Sequence, residues 1–476
     1  MCHRYLRAFI HFLDDDSLLH IFYLCRPALL EGDKGVAHDH CVEWKDWSSE
    51  RWWYKPAHVC RRWRYLILAS ASHLGLSLLC TYDTPVTDML SHSPPLPLII
   101  DPSDKPRDIA VEGEDRIMLA LHHRDRVQHI RLRLPFPKLQ KLIDAAKEEF
   151  PMLETLCIGP PYWTKHSSGL ILPDTFQAPN LIQLILINFA FPIGSPLLMT
   201  ATGLVTLSLQ NIHPSANHSP HDLLQQLSLL PQLKRLQIGF HSPLPSRDVE
   251  TQLLHRPITT HVTLPNLHSF MFKGVSAYLE ALLARMTTPL LKRLKIFFFF
   301  QLSLSLTHLL LFVSAANDLR FGSATFLFRP DTFSIVVFPH RSSWSDNLSL
   351  NIFCYGHLDW QIAFAIQSLR ALTTVFSAVE HLTLDVDRTF QLSEADRTQW
   401  RELLMLLKNV KTLVLKDSEG MIGRSLQVDN GESPTEMLPE LKELRSDLFG
   451  HDDSNAVNTF IDARRHTGRP VTLLLE

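Results

Sequence analysis

From about His73 onward one short pattern keeps returning: an apolar residue, two variable residues, then two apolar residues separated by one, as in L-x-x-L-x-L. Copies start at Leu153, Leu181, Leu204, Leu233, Leu267, Leu291, Val379, Val410 and Leu441, in steps of 28, 23, 29, 34, 24, 88, 31 and 31 residues. The period of two inside each copy is that of a strand, whose alternate side chains turn to opposite faces. Residues 138–150, 222–230, 277–286 and 401–407 carry helix-like apolar spacing and read as connecting helices. Pro151, Pro179, Pro231, Pro265 and Pro289 mark the turns that enter the strands. The step of 88 residues is expected to hold two further strands, near 324–328 and 348–353. One such unit cannot bury its own apolar face, whereas a stack of them can.

This is the signature of a leucine-rich-repeat solenoid, and it suits the length. A chain of 476 residues exceeds the roughly 250–300 residues at which single cores stop growing. The expected fold is therefore α/β over residues 73–476, with parallel strands on a concave side and helices on the convex side. The Asn that such repeats carry three residues after the last Leu is not regular here. Asn188 and Asn211 come two residues after it, so the repeats are irregular. Residues between the inward leucines form an outward ladder: Thr155 and Cys157, Gln183 and Ile185, Thr206 and Ser208, Arg235 and Gln237, Ser269 and Met271, Arg293 and Lys295, His381 and Thr383, Thr412 and Val414. The middle of that ladder is basic, with Lys234 and Lys292 beside it, which suits an acidic or phosphorylated patch on a bound client. Arg235, Gln237, Ser269, Met271, Arg293, Lys295, His381 and Thr383 are the candidate client-binding residues.

Residues 1–72 follow a different grammar. Leu18, Leu19, Ile21, Phe22 and Cys25 lie on one helical face. Asp14 to Ser17 supplies an N-cap and favourable charge, and Pro27 ends the helix. Val59, Trp63, Leu66 and Ile67 suggest a second helical stripe. Between them, residues 31–49 read as a polar loop insertion. The run Leu13-Asp14-Asp15-Asp16-Ser17-Leu18-Leu19-His20-Ile21-Phe22, followed by Val59-Cys60-Arg61-Arg62-Trp63-Arg64, resembles the F-box motif, approximately L-P-x-E-x-L-x-x-I-F and then V-C-R-x-W. With Arg51-Trp52-Trp53-Tyr54 ahead of the second half, the style is similar to that of fungal F-box proteins. Asp14 stands where the family usually has Pro, and Phe22 and Val59 are 37 positions apart, longer than the typical motif. A loop absorbs such an insertion cheaply, because closure entropy grows only with the logarithm of length.

The resemblance implies a substrate-recognition adaptor of an SCF-type (Skp-cullin-F-box) ubiquitin ligase. The helical segment would dock a Skp-type adaptor and, through it, a cullin, while the repeats hold a client protein. Leu13, Leu18, Ile21, Phe22, Val59, Cys60 and Trp63 would form the adaptor contact set. Two other readings stand beside it: a leucine-rich-repeat scaffold with a degenerate F-box, and an enzyme with an unrecognised site in the repeat face or the His-rich loop.

The remaining features bound these readings. Net charge is −3 with a pI near 6.8, so no polybasic nucleic-acid binder is expected. The seven cysteines are odd in number, irregularly spaced and free of C-x-x-C, which fits reduced thiols in a cytoplasmic or nuclear protein. Residues 1–13 do not read as a signal peptide, because Asp14-Asp15-Asp16 follows at once. Residues 296–316 are apolar enough to resemble a membrane span, but Gln301, Ser303, Ser305, Thr307 and His308 interrupt them. A buried strand over 294–299 and an amphipathic helix over 307–316 are expected instead, with no membrane partner. No G-x-S-x-G, Walker A, G-x-G-x-x-G or H-E-x-x-H motif occurs, so no catalysis and no cofactor are expected. His38-Asp39-His40-Cys41, with Cys25 and Cys60, has metal-ligand residue types but no common zinc spacing, so no metal site is expected.

Overall fold

The repeated pattern forms strands, and several of the gaps between copies hold a helix. The computed structural model describes residues 13–27, 50–102, 111–146, 148–160, 170–190, 194–212, 218–241, 260–299, 306–316, 319, 321–339, 348–353, 358–387, 394–416, 421–426, 436–446 and 453–475. The chain divides into two compact units, Met1–Leu204 and Val205–Glu476. It is mixed α/β, built on a large, mostly parallel sheet.

Among its described residues the first unit has, ahead of its first strand, the helices α1 (Asp15–Leu24), α2 (Tyr54–Ala57), α3 (Arg61–Ala69) and α4 (Ala71–Leu74). Among the described residues, five parallel strands of the large sheet follow, β1 (Leu78–Cys80), β2 (Leu98–Ile100), β3 (Val127–Arg133), β4 (Thr155–Gly159) and β5 (Gln183–Ile187). Helices Val86–His92, Val111–His122 and Phe136–Ala145 connect the first four of them. Strand β3 is a copy of the pattern written with Val127, Ile130 and Leu132, which a search for leucine passes over. The inward rows are dry: Leu156 and Leu184 stand in register and both are fully buried. Strands β4 and β5 approach closely at Gly159, where an added Cβ would lie 2.6 Å from Ile187 Cβ.

The second unit starts in the same way, with four parallel neighbours: β6 (Thr206–Ile212), β7 (Arg235–Phe240), β8 (Ser269–Gly274) and β9 (Arg293–Phe298). Helices Pro220–Leu227 and Ser276–Leu283 connect members of this set. Ser219 caps the first of these helices by accepting from the Asp222 amide at 3.2 Å, with Pro220 at the first helical position. Asn211 sits in the left-handed region (φ 50°) where β6 breaks register, as does Asn188 (φ 61°) just after β5. Asn tolerates this backbone better than most residues, so Asn188 marks the end of β5 and Asn211 the irregularity within β6.

The long step departs from expectation. Beyond β9 its described residues hold three strands: β10 (Ser323–Arg329), β11 (Thr332–Phe338) and β12 (Leu348–Phe353). Their spatial order is β9-β12-β11-β10, followed by β13 (His381–Val386). Strands β10 and β11 form a hairpin across Pro330-Asp331, and β11 is antiparallel to both neighbours. The chain thus skips over, folds back, and only then lays β12 beside β9. Strand β11 was missed because it carries the inward alternation Phe333, Ile335, Val337 without a leading L-x-x-L. Phe328 packs on Phe333 at 4.8 Å and on the fully buried Trp400 of helix Glu394–Leu406 at 4.9 Å. These rings give the hairpin a core of its own.

Parallel strands β14 (Thr412–Lys416), β15 (Glu443–Ser446) and β16 (Thr472–Leu475) continue the sheet. A recurring device ties successive turns together in each unit. Asn180 Nδ2 donates to the Pro151 carbonyl at 2.7 Å, Asn266 to Pro231 at 3.2 Å and Asn409 to Ser377 at 2.7 Å. Residues 296–316 contain the end of β9 and helix Thr307–Ala315, as expected, with 300–305 outside the described residues. Among the described residues no helix is long and apolar enough to cross a membrane.

Candidate functional site

Helix α1 begins where the acidic run places it. Asp14 Oδ1 accepts from the Ser17 amide at 2.7 Å, and that bond, with the Ser17 hydroxyl, holds the Asp14 carboxyl below its ordinary range. Helix α3 is capped by a thiol: Cys60 is extended (φ −159°) and its Sγ accepts from the Trp63 amide at 3.5 Å. Arg62 joins the two helices, meeting Asp15 Oδ1 at 2.6 Å and the Leu13 carbonyl at 2.6 Å. Phe22 and Trp63 meet edge to face at 5.0 Å. Trp53 Nε1 donates to the Ser77 carbonyl at 3.2 Å, which anchors the segment near β1. Gly75 closes α4 in the left-handed region (φ 59°), a position that suits glycine.

The seven residues of the expected adaptor set therefore divide. Leu18 and Phe22 are buried, Phe22 against Trp63 of α3. Leu13, Cys60 and Trp63 are half-buried. Ile21 and Val59 are open to solvent, at 41% and 60% exposure. The expected helical stripe is corrected at its start: Val59 lies in the turn before α3 and Cys60 caps the helix from outside. Tyr23, Leu24 and Tyr65 are also exposed, and the sequence reading did not single them out. Tyr23 stacks on His73 at 5.8 Å, and the signal was present, since large apolar residues off the buried stripe of a short helix are left at the surface.

On the sheet of the second unit, register sorts the expected client residues into rows. Arg235, Ser269 and Arg293 share one row, and Gln237, Met271 and Lys295 share another. Gln237 Oε1 is held by the Ser208 hydroxyl at 3.0 Å and by Gln210 Nε2 at 3.2 Å. His381 and Thr383 lie on β13, beyond β12, β11 and β10. Four strand intervals, about 19 Å, separate them from β9. The expected single ladder is thus two patches. In the first unit Thr155 and Gln183 are half-buried, whereas Cys157 and Ile185 pack together with Ile187 and are buried. Further along β3, Arg131 forms a buried ion pair with Asp101.

Among the described residues no cluster of three or more His, Cys, Asp or Glu could hold a metal ion. His38, Asp39, His40 and Cys41 lie outside the described residues. The described cysteines are free thiols in contrasting settings: Cys25 is exposed, Cys80 and Cys157 are buried. Burial pushes the Cys80 thiol up to about 12 and raises that of Cys157 as well. Only the thiolate reacts, so N-ethylmaleimide at mildly alkaline pH is expected to modify Cys25 at least about 100-fold faster than Cys80 or Cys157. Peptide mapping by mass spectrometry reads this directly, and equal rates in the native protein would contradict the burial. No family model matches the chain, and no curated protein matches it.

Proposed function

We propose that the protein is a non-catalytic substrate-recognition adaptor of an SCF-type ubiquitin ligase, with residues 13–74 docking a Skp-type adaptor and the sheet of the second unit holding a client protein. The observation that carries this reading is the exposure of Ile21 and Val59, at two positions that the F-box resemblance assigns to the adaptor contact. A surface of this kind favours a partner, because apolar area removed from water contributes roughly 25 cal/mol per Å². Leu18 and Phe22 have the complementary role of holding α1 against α3 so that the exposed side chains are presented. Such a protein needs no catalytic group of its own. Tethering a client near a charged conjugating enzyme raises its effective concentration, and proximity supplies the acceleration. The cytoplasm or nucleus is where it would act.

Co-expression with a Skp-type adaptor tests the reading. The intact chain is expected to co-purify with the adaptor, and Ile21→Asp plus Val59→Asp is expected to remove at least about 90% of the recovered partner, since a charge at a desolvated interface costs several kcal/mol. Both side chains face solvent in the free chain, so the double variant keeps its core, as an unchanged circular dichroism spectrum would show. Failure of the intact chain to co-purify would sink the ligase reading and leave a repeat scaffold.

A further inference from the structure

We propose that a cleft in the first unit binds a small organic acid, a molecule with one carboxylate on an apolar body. The cleft lies where the end of α3, the turn after α4, the residues leading into β2 and β4 and the start of β3 come together. Its volume is about 720 Å³, within the roughly 300–1,000 Å³ of small-molecule sites. Hydrogen bonds fix its walls. The Leu78 amide donates to the Pro97 carbonyl at 2.8 Å, and the Glu154 amide to the Gln128 carbonyl at 2.8 Å. Arg126 Nε donates to the Leu96 carbonyl at 3.0 Å and its Nη2 to that of Pro94 at 3.4 Å, which holds residues 94–97 in place. The bond from Trp53 to the Ser77 carbonyl steadies the turn after α4. Walls set before a ligand arrives lower the ordering cost of binding.

The lining sets the chemistry. Arg26 is half-buried in the wall, and its guanidinium lies across Gly75. A Cβ added to Gly75 would be 3.2 Å from Cζ, Nη1 and Nη2 of Arg26, so this glycine serves the left-handed turn and also leaves room for the arginine. Among the described residues the Arg26 side chain has no ion pair and no hydrogen bond. Ser77, in the same wall, is 5% exposed, and its hydroxyl has no hydrogen-bond partner. Buried polar groups are ordinarily paired, and a planar guanidinium suits a carboxylate, which it meets with two parallel bonds.

Leu68, Leu76, Leu96 and Ile99 supply apolar lining for the rest of the molecule. Glu50 and Glu154 also line the cleft and neither is free, since Gln128 Nε2 donates to Glu154 Oε1 at 2.8 Å and Glu50 has a partner of its own. Two carboxylates beside one guanidinium repel a ligand of high negative charge. The lining therefore favours a single carboxylate over a phosphate ester or a polyphosphate.

The test uses the full-length protein and dansylaminoundecanoate, read by dansyl fluorescence, with its methyl ester as the uncharged control. One probe per chain is expected, with the acid bound about tenfold or more tightly than the ester. Arg26→Gln is expected to erase that difference. Arg26→Lys should keep part of it, because lysine retains the charge but loses the fork. Ser72, an exposed residue of α4, also lines the cleft. Ser72→Trp fills the space and is expected to weaken acid and ester alike by about tenfold or more, at an unchanged circular dichroism spectrum. Absence of binding, equal affinity for acid and ester, or a preference for the acid that survives Arg26→Gln would overturn the proposal. So would binding that Ser72→Trp leaves unchanged, or displacement of the probe by dodecyl phosphate at lower concentration than by laurate. Neither Ile21 nor Val59 lines the cleft, so failure here leaves the adaptor reading standing, and failure to bind a Skp-type adaptor leaves the cleft standing.

Discussion

Arg464→Ala is expected to destabilise the second unit by about 3–5 kcal/mol, because it removes a fully desolvated cation from a cage of buried acceptors. Arg464 lies near the end of helix Asp453–His466 and has no exposed surface. Its Nη1 donates to the carbonyls of Met437 at 3.3 Å and Leu438 at 3.0 Å, its Nη2 to those of Pro439 at 3.2 Å and Leu441 at 3.1 Å, and its Nε to Arg469 at 3.4 Å. The guanidinium thus fixes the turn that feeds β15, including Leu438 in the left-handed region (φ 48°). That backbone disfavours a non-glycine residue by roughly 1–2 kcal/mol and holds only where its surroundings impose it. Arg464→Lys keeps the charge but replaces a planar fork with a point donor, so an intermediate loss is expected. Urea titration of the three proteins measures both, and a loss below about 1 kcal/mol for the alanine variant, within the range of an ordinary surface change, would contradict the cage.

Glu280→Ala is the second large effect, with an expected loss of about 2–4 kcal/mol, since it leaves one buried and one part-buried amide at a helix start without an acceptor. Glu280, 7% exposed on helix Ser276–Leu283, accepts from the amides of His308 at 2.7 Å and Leu309 at 2.9 Å. It caps helix Thr307–Ala315 from outside, satisfying donors that every helix start leaves open. Glu280→Gln keeps one oxygen but turns an amide donor toward a backbone N–H, so it should recover only part of the loss. Hydrogen exchange at His308 and Leu309 reports the contact directly. Protection is expected to fall in both variants before the rest of the unit is affected, and unchanged protection would refute the cap.

These two residues show where reading the sequence reached its limit. The strands were legible because each copy carries a period of two with Leu, Ile, Val or, on β8, Phe inward, and the buried registers of β4, β5, β7, β8, β9, β13 and β14 follow it. The hairpin of β10 and β11 was only half legible. Its alternation is clear, but nothing local encodes that β12 must insert beside β9. Arg464 left no trace, since its partners are backbone carbonyls, which carry no sequence. Glu280 left a faint one, a carboxylate within an otherwise apolar helix, Ser276–Leu283. In the helical segment the acidic cap at Asp14 and the packing of Leu18 and Phe22 were readable from spacing. Val59 was misplaced because the V-C-R-R-W run looks helical throughout, whereas Cys60 is extended and starts the helix one residue later.

The most direct measurement is calorimetric titration of a purified Skp-type adaptor into the intact chain and into the Ile21→Asp, Val59→Asp variant. The account predicts a one-to-one complex with the intact chain and binding at least about 100-fold weaker for the variant, at an unchanged melting temperature. No heat of binding with the intact chain, or equal affinity for both proteins, would contradict it.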